Sequence, residues 1–275
     1  MHRHNFSRKG RRTPHPKGRK PESERAKGLA PEHGLARWLS KMGFASRTDA
    51  AKLIRAGRVT VDGAVVRDPE RRTDARAEAI SVDGRPLVSR ERLYYAMHKP
   101  VGPVTTASDP EGRETVYDLL PPFDAWIFPV GRLDAATSGL LLFTNDAVLS
   151  NAVSGDRSEV AKRYEVTVRG AIEDAALDAL RTGIDIRRED GTLYRTRAAE
   201  VERLGAGRLA LTIREGKNRQ VRRMLGAAGH DVIGLHRTRI GPLALGDLPV
   251  GATRALSKAE VAALRAAAGE AEKRG

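Results

Sequence analysis

Asp134 is the residue of this sequence best placed to do chemistry. It lies in the stretch GRLDAATSGLLLFTND, residues 131–146, two positions after Arg132 and at the head of a small, hydroxyl-rich turn, Ala135 to Gly139. The apolar run Leu140 to Phe143 follows directly. A carboxylate delivered beside a strongly apolar strand is costly unless something pairs it. Such an acid is a candidate nucleophile or general acid–base. The bland role for an Asp in this setting is a helix cap or Asx-turn. A second cluster is REGKNRQVRRM, residues 214–224, in which Arg219, Arg222 and Arg223 stand at i, i+3 and i+4. That spacing puts the three on one helical face. An arginine there, turned toward Asp134, would offset the cost of burying the acid.

These groups need a scaffold, and the patterning supplies one. WIFPV, 126–130, reads as a strand that delivers Gly131 to Asp134. VAKRYEVTVRG, 160–170, alternates like a strand, and AIEDAALDALRTG has helical periodicity with a stop at Gly183. GTLYRTRAAEVERL and GRLALTIREG read as two further strands. KNRQVRRMLGAAG is a helix ending at Gly229, HDVIGLHRTRIGPLAL is extended, and 257–272 is an alanine-rich helix. Strands with intervening helices predict a mixed α+β domain. Upstream, Leu35, Trp38, Leu39 and Met42 recur at helical spacing. Ser46 caps a second helix, with Asp49 completing a capping box and Gly57 ending the helix. VTVDGAVV and ISVDGRPL each carry a strand–turn signal at an Asp-Gly pair.

Bulk composition narrows the chemistry. The 275 residues contain no cysteine, so thiolate nucleophiles, disulfides and cysteine-ligated metals are excluded. The scattered His98, His230 and His236 lack metal-ligand spacing, and neither a GK[ST] phosphate loop nor GxSxG occurs. We expect neither metal nor cofactor. Net charge is +14, which points to a polyanionic partner, with nucleic acid the first choice and no membrane span expected. Residues 1–30 hold ten lysines and arginines against two glutamates, and read as a disordered basic arm. The absence of an apolar leader core suggests a cytoplasmic protein.

GRLD followed by TSGLLLFTND resembles the catalytic motif of the pseudouridine synthases, in the branch that includes the RsuA and RluB enzymes. LYYAMHKPVGPVTT, 93–106, is similar to the lysine–proline opening of that branch's catalytic domain. DPEGRETVYDLLP, 109–121, also matches, and is expected to be a loop and short helix. LARWLSKMGFASRTDAAKLIRAGRVTVDG resembles a small RNA-binding domain first seen in a ribosomal small-subunit protein. The resemblance implies an α+β chain. A basic arm (1–30) leads to a small two-helix-plus-sheet RNA-binding domain (31–88). A catalytic domain with a mixed, mainly antiparallel sheet (92–262) and a tail (263–275) follow.

The same resemblance implies the roles. Asp134 is the essential carboxylate, attacking the anomeric carbon of a ribose or removing a ribose proton to give a glycal. Tyr164, in a lysine-x-tyrosine pattern with Lys162, stacks on the uracil. Arg222 pairs with Asp134, Ile213 walls the base pocket, and Arg132 displaces the target base or forms a structural ion pair. Arg47, Lys52, Arg55 and Arg58, with Lys162, Lys217, Arg219 and Arg223, contact RNA, largely at phosphates, which position it without reading sequence. The expected substrate is a uridine of ribosomal RNA, free or in a partly assembled subunit, met by a monomeric enzyme. The motif spellings favour the large-subunit group. The alternatives are a small-subunit enzyme of the RsuA type and a non-catalytic RNA-binding assembly factor. Removing residues 1–30 is expected to weaken RNA binding and to flatten the slope of log affinity against log salt, because the arm's cations release counterions. An unchanged slope in a salt titration would make the arm a bystander.

Overall fold

The computed structural model describes residues 33–73, 79–87 and 91–269; the basic arm of 1–30 lies outside them. The small domain runs α1 (Leu35–Lys41), α2 (Arg47–Arg55), β1 (Val59–Val61), β2 (Ala64–Val66), β3 (Ile80–Val82) and β4 (Arg85–Pro86). Its four strands order β2-β1-β3-β4, all antiparallel. Both Asp-Gly pairs take positive φ at both residues, 51° and 80° at Asp62-Gly63 and 51° and 72° at Asp83-Gly84, the geometry of a type I′ hairpin. Ser46 Oγ accepts the Asp49 amide at 3.0 Å. The Asp49 carboxylate accepts the Ser46 hydroxyl at 2.7 Å, so one half of the expected capping box forms. Leu35, Leu39, Ile54, Val59 and Val82 close a core of their own.

The larger domain comprises β5 (Tyr94–Lys99), β6 (Phe128–Pro129), β7 (Ser138–Thr144), α3 (Ala147–Ser154), β8 (Lys162–Val168), α4 (Asp174–Thr182), β9 (Asp185–Arg187) and β10 (Leu193–Arg195). It ends with β11 (Glu200–Gly205), β12 (Arg208–Ile213), α5 (Gln220–Ala227), β13 (Val232–Ile240), β14 (Leu243–Ala244), β15 (Thr253–Ala255) and α6 (Lys258–Ala267). The main sheet orders β11-β12-β8-β13-β7-β5-β15, with β14 on β13 and β6 on β7. Among the described strand pairings of this sheet, only β13–β7 is parallel. The sheet is mixed and mainly antiparallel, as expected.

Residues 109–121 form turns and a single bridge at Thr115 rather than the expected short helix. The stretch expected as one strand over GTLYRTRAAEVERL splits between β10, in a two-stranded ribbon with β9, and β11 of the main sheet. The chain beyond 262 is not a free tail, since α6 runs to Ala267 and buries Leu264.

Strand β7 is apolar on both faces because both are covered. Leu141 and Phe143 join the core beneath α4 and α5, while Leu140 and Leu142 join the core beneath α3 and α6. Gly139 (φ 107°) admits no side chain, since a Cβ there would lie 2.3 Å from the Arg237 carbonyl oxygen of β13.

Asp146, at the end of the GRLD motif, ties these layers together. Its buried carboxylate caps α3 through the amides of Val148 (3.1 Å) and Leu149 (3.2 Å). It also accepts Tyr94 Oη at 2.9 Å and Arg265 of α6 at 2.5 Å. Burial pushes this carboxyl's pKa up, but the Leu149 amide, the Tyr94 hydroxyl and the Arg92 and Arg265 guanidiniums together hold it below the usual range. Asp146→Ala is expected to cost about 3 kcal/mol in urea unfolding, because it strips a buried anion from its cations. Asp146→Asn, which keeps the cap, is expected to recover about 1 kcal/mol of that loss.

Candidate active site

Beside the β8–β13 seam lies a cavity of about 270 Å³. Asp134, Arg132, Tyr164, Lys162, Ile213, Lys217 and Arg219 all line it, bringing together residues up to 87 positions apart in sequence. Asp134 enters from the loop between β6 and β7, its side chain 35% exposed. Tyr164, in the middle of β8, is buried, and Ile213 closes β12. Arg132 is exposed at the cavity and forms no ion pair among the described residues.

The backbone of the Asp134 loop is held atom by atom. Thr105 Oγ1 donates to the carbonyl of Leu133 at 2.6 Å. The carbonyl of Asp134 accepts from the Thr137 amide at 3.0 Å and from Lys99 Nζ at 3.3 Å. Ala135 accepts the Gly102 amide at 2.9 Å, Ala136 accepts Arg222 at 2.7 Å, and Thr137 accepts Lys99 Nζ at 3.0 Å. Five consecutive carbonyl oxygens therefore have donors.

Arg219, not Arg222, faces the acid: its Nη1 lies 3.6 Å from Asp134 Oδ2. The expected shared helical face fails because α5 begins at Gln220. Arg219 stands at its N-cap with φ 50° and ψ 30°, a left-handed conformation costing about 1 kcal/mol for a non-glycine residue. That bend turns its guanidinium off the helix and toward the acid's loop. Arg222 instead spans from the Val232 carbonyl (2.9 Å) to that of Ala136, as a brace for the loop.

The other basic residues divide by burial. Lys162 is 8% exposed, with Nζ on the Val160 carbonyl at 3.1 Å, so it faces the cavity interior rather than an open phosphate surface. Desolvation and the nearby Arg237 lower its pKa to about 8 against the opposing pull of Glu159. Arg223 turns toward Asn218 (3.2 Å) and Glu189 (3.9 Å). Lys217 reaches Asp156 at 3.2 Å. In the small domain Arg47 pairs with Glu70 (3.1 Å), Lys52 with Asp49 (2.9 Å) and Arg58 with Asp83 (2.6 Å), while Arg55 is exposed on the same helix as Arg47 and Lys52. Exposed pairs of this kind are worth little and exchange readily for a phosphate.

Two residues of the site were given no role there at the level of sequence. Lys99 is wholly buried, and its ammonium is spent on the carbonyls of Pro100, Asp134 and Thr137. Arg237 is 3% exposed and lines the cavity. A signal existed for each. Lys99 ends an apolar strand, and Arg237 sits two residues after Leu235, on the inward face of an alternating one.

Known proteins share this architecture. The family model for RNA pseudouridylate synthase matches residues 93–227, and that for the S4 domain matches residues 34–78. An uncharacterized RNA pseudouridine synthase of Aquifex aeolicus is 37% identical over 237 residues, covering 86% of this chain and 94% of its own. The ribosomal large subunit pseudouridine synthase B of Bacillus subtilis is 38% identical over 240 residues, covering 85% of this chain and 96% of its own. A crystal structure of a pseudouridylate synthase superposes with a TM-score of 0.63 at 30% identity, over 85% of this chain and 100% of that one. The chain belongs to the RNA pseudouridylate synthase family and carries an S4 domain ahead of its catalytic domain.

Burial lowers the pKa of Lys99 to about 8, against a smaller opposing pull from Asp134. The unfolded chain therefore binds this proton more tightly than the folded one. The penalty is full below about pH 8 and lifts as pH rises toward the ordinary lysine range near 10.5. Wild-type stability is expected to rise across that window relative to Lys99→Met, as measured by denaturant unfolding at several pH values. A constant difference would mean that the buried ammonium carries no charge penalty.

Proposed function

We propose, with membership of that family as the premise, that this enzyme isomerises a specific uridine of large-subunit ribosomal RNA to pseudouridine, using Asp134 as its essential carboxylate. The observation that carries the reading is the convergence of Asp134, Tyr164 and Arg219 on one cavity scaled to a single flipped-out nucleoside. The isomerisation breaks a carbon–nitrogen glycosidic bond, turns the freed base and joins its C5 to the ribose. It consumes no redox equivalent. Its demands are a carboxylate at the sugar, a platform for the base and exclusion of water.

Asp134 is aimed by its pinned backbone and steadied by Arg219, so it meets the ribose without reorganising. Tyr164 offers the ring on which uracil stacks, with Ile213, Val221 and Leu235 as the apolar wall that keeps the base dry. Arg132, exposed at the cavity, takes the place of the target base in its stack. The S4 domain grips flanking RNA through Arg47, Lys52, Arg55 and Arg58, and Lys217 adds a phosphate contact beside the cavity. Large-subunit RNA is favoured because two relatives named ribosomal large subunit pseudouridine synthase B, from Bacillus subtilis and Shigella flexneri, are each 38% identical to this chain. The substrate is this RNA, free or in a partly assembled subunit.

Unmodified ribosomal RNA of both subunits, incubated with the enzyme and mapped by carbodiimide-blocked primer extension, tests the reading. One new stop in the large-subunit RNA is expected. Asp134→Asn is expected to give none while binding RNA within a few-fold of wild type. A stop confined to small-subunit RNA would overturn the subunit assignment, and normal turnover by Asp134→Asn would overturn the role of the acid.

A further inference from the structure

Two buried cations of the cavity have no part in the scheme above. Arg237 lies on β13 directly opposite Tyr164 of β8, and its guanidinium carbon is 6.0 Å from the centre of that ring. Its Nε donates to the Leu140 carbonyl at 2.8 Å, but its Nη2 is buried without a hydrogen-bond partner. Lys162 sits two residues before Tyr164 on the same buried face of β8. Its ammonium makes one hydrogen bond, to Val160. Neither cation forms an ion pair among the described residues. Two like charges buried without an ion pair destabilise the empty protein. The cost is recovered when negative charge develops next to them.

We infer that Arg237 and Lys162 form a cationic hole that stabilises the uracil as it leaves the ribose, and that both are catalytic residues of the cleavage step. The inference rests on the reading that this cavity takes the flipped uridine with its base on Tyr164. When the C1′–N1 bond breaks, its electron pair stays on N1 and spreads through the ring to O2 and O4. The sugar side is balanced by Asp134, which bonds to C1′ or takes the C2′ proton to leave a C1′–C2′ double bond. No other reactant is required. Arg237 Nη2 donates to a carbonyl oxygen of the base, and the Lys162 ammonium adds its charge at the same end. Both interactions strengthen as the oxygens become anionic, so they favour the transition state over bound uridine. When C5 bonds to C1′, the C5 proton is lost and N1 regains one, so the charge in the hole is discharged. Stacking on Tyr164 holds a neutral base and an anionic base alike; the cations supply the discrimination that stacking lacks.

The test is single-turnover kinetics on a ribosomal RNA fragment carrying the mapped target, prepared with uridine or with 5-fluorouridine at that position and followed as loss of the target nucleoside. Fluorine withdraws electrons from the ring and makes the base a better leaving group. Arg237→Met is expected to slow the uridine substrate by about 100-fold, the scale for losing one donor to a developing oxyanion, with RNA affinity within a few-fold. The deficit is expected to shrink markedly on 5-fluorouridine. Lys162→Met is expected to behave alike, with Lys162→Arg restoring most of the rate. Arg237 also ties β13 to β7, so if Arg237→Met fails to fold, the comparison is made with Arg237→Lys and Lys162→Met. Equal deficits on the two substrates, or none, would overturn the inference. A wild-type enzyme that turns over neither RNA would instead sink the reading of the cavity, and the inference with it.

Discussion

The candidate site depends on the capture of five consecutive carbonyl oxygens, Leu133 to Thr137, each by a donor from elsewhere in the fold. A carbonyl withdrawn from water must find a donor, and a loop that meets this demand five times in a row has little freedom left. The donors come from the end of β5 and the loop after it (Lys99, Gly102, Thr105), from within the loop (Thr137) and from α5 (Arg222). No single element could supply them. The aim of one carboxylate is thus a property of the tertiary structure, and it forms only when β5, β7 and α5 have all docked.

Close backbone approach is the second constraint. β7 must run parallel to β13 at a point where no side chain fits, which makes Gly139 obligatory and brings Arg237 beneath the end of the Asp134 loop. The pairing of β13 with β8 is irregular on either side of this region, with register shifts between Val232 and Gly234 and between Arg237 and Arg239. Such irregularities re-aim side chains beside functional sites. Here they flank the stretch that holds Leu235 and Arg237, both lining the cavity. Glycine in the catalytic motif and irregular pairing in the facing strand answer the same packing problem.

What the sequence made legible was local. The Asp-Gly hairpins, the Gly183 stop and the alternation of β8 follow from turn chemistry and period alone, and the structure has all three. The GRLD stretch marked its acid through its resemblance to a family motif, since an Asp at the head of such a turn is by itself as readily a cap or an Asx-turn. What stayed hidden was long-range. Arg222 and Arg219 could not be told apart by spacing, since the deciding fact is one positive φ at the helix start. Lys162 read as an RNA contact from the lysine-x-tyrosine pattern, because neither that pattern nor the strand's alternation says what covers its face. Residues 109–121 read as a loop and short helix, and the helix is missing because the Thr115 amide and hydroxyl both go to the Asp118 carboxylate, a local turn that competes with helical bonding. Arg197, Gln220 and Tyr194 converge on buried Glu215, a network no spacing rule would reveal.

The charges around the cavity are arranged by depth. One carboxylate, Asp134, lines the cavity together with five cations, Arg132, Lys162, Lys217, Arg219 and Arg237, of which Arg219 is its ion-pair partner. Arg132 is exposed, Arg219 is 48% exposed in its pair with the acid, and Lys162 and Arg237 are 8% and 3% exposed. Salt screens exposed charges over a distance of about 8 Å at physiological ionic strength but leaves buried ones largely untouched. The outer cations therefore act on a polyanion as it arrives, and their effect is bought off by counterions. In the inference drawn above, the inner ones act on charge created within the cavity, where the low dielectric magnifies it. On the proposed reading, capture of RNA and chemistry on one base respond differently to ionic strength, because different members of the cavity's cations serve each.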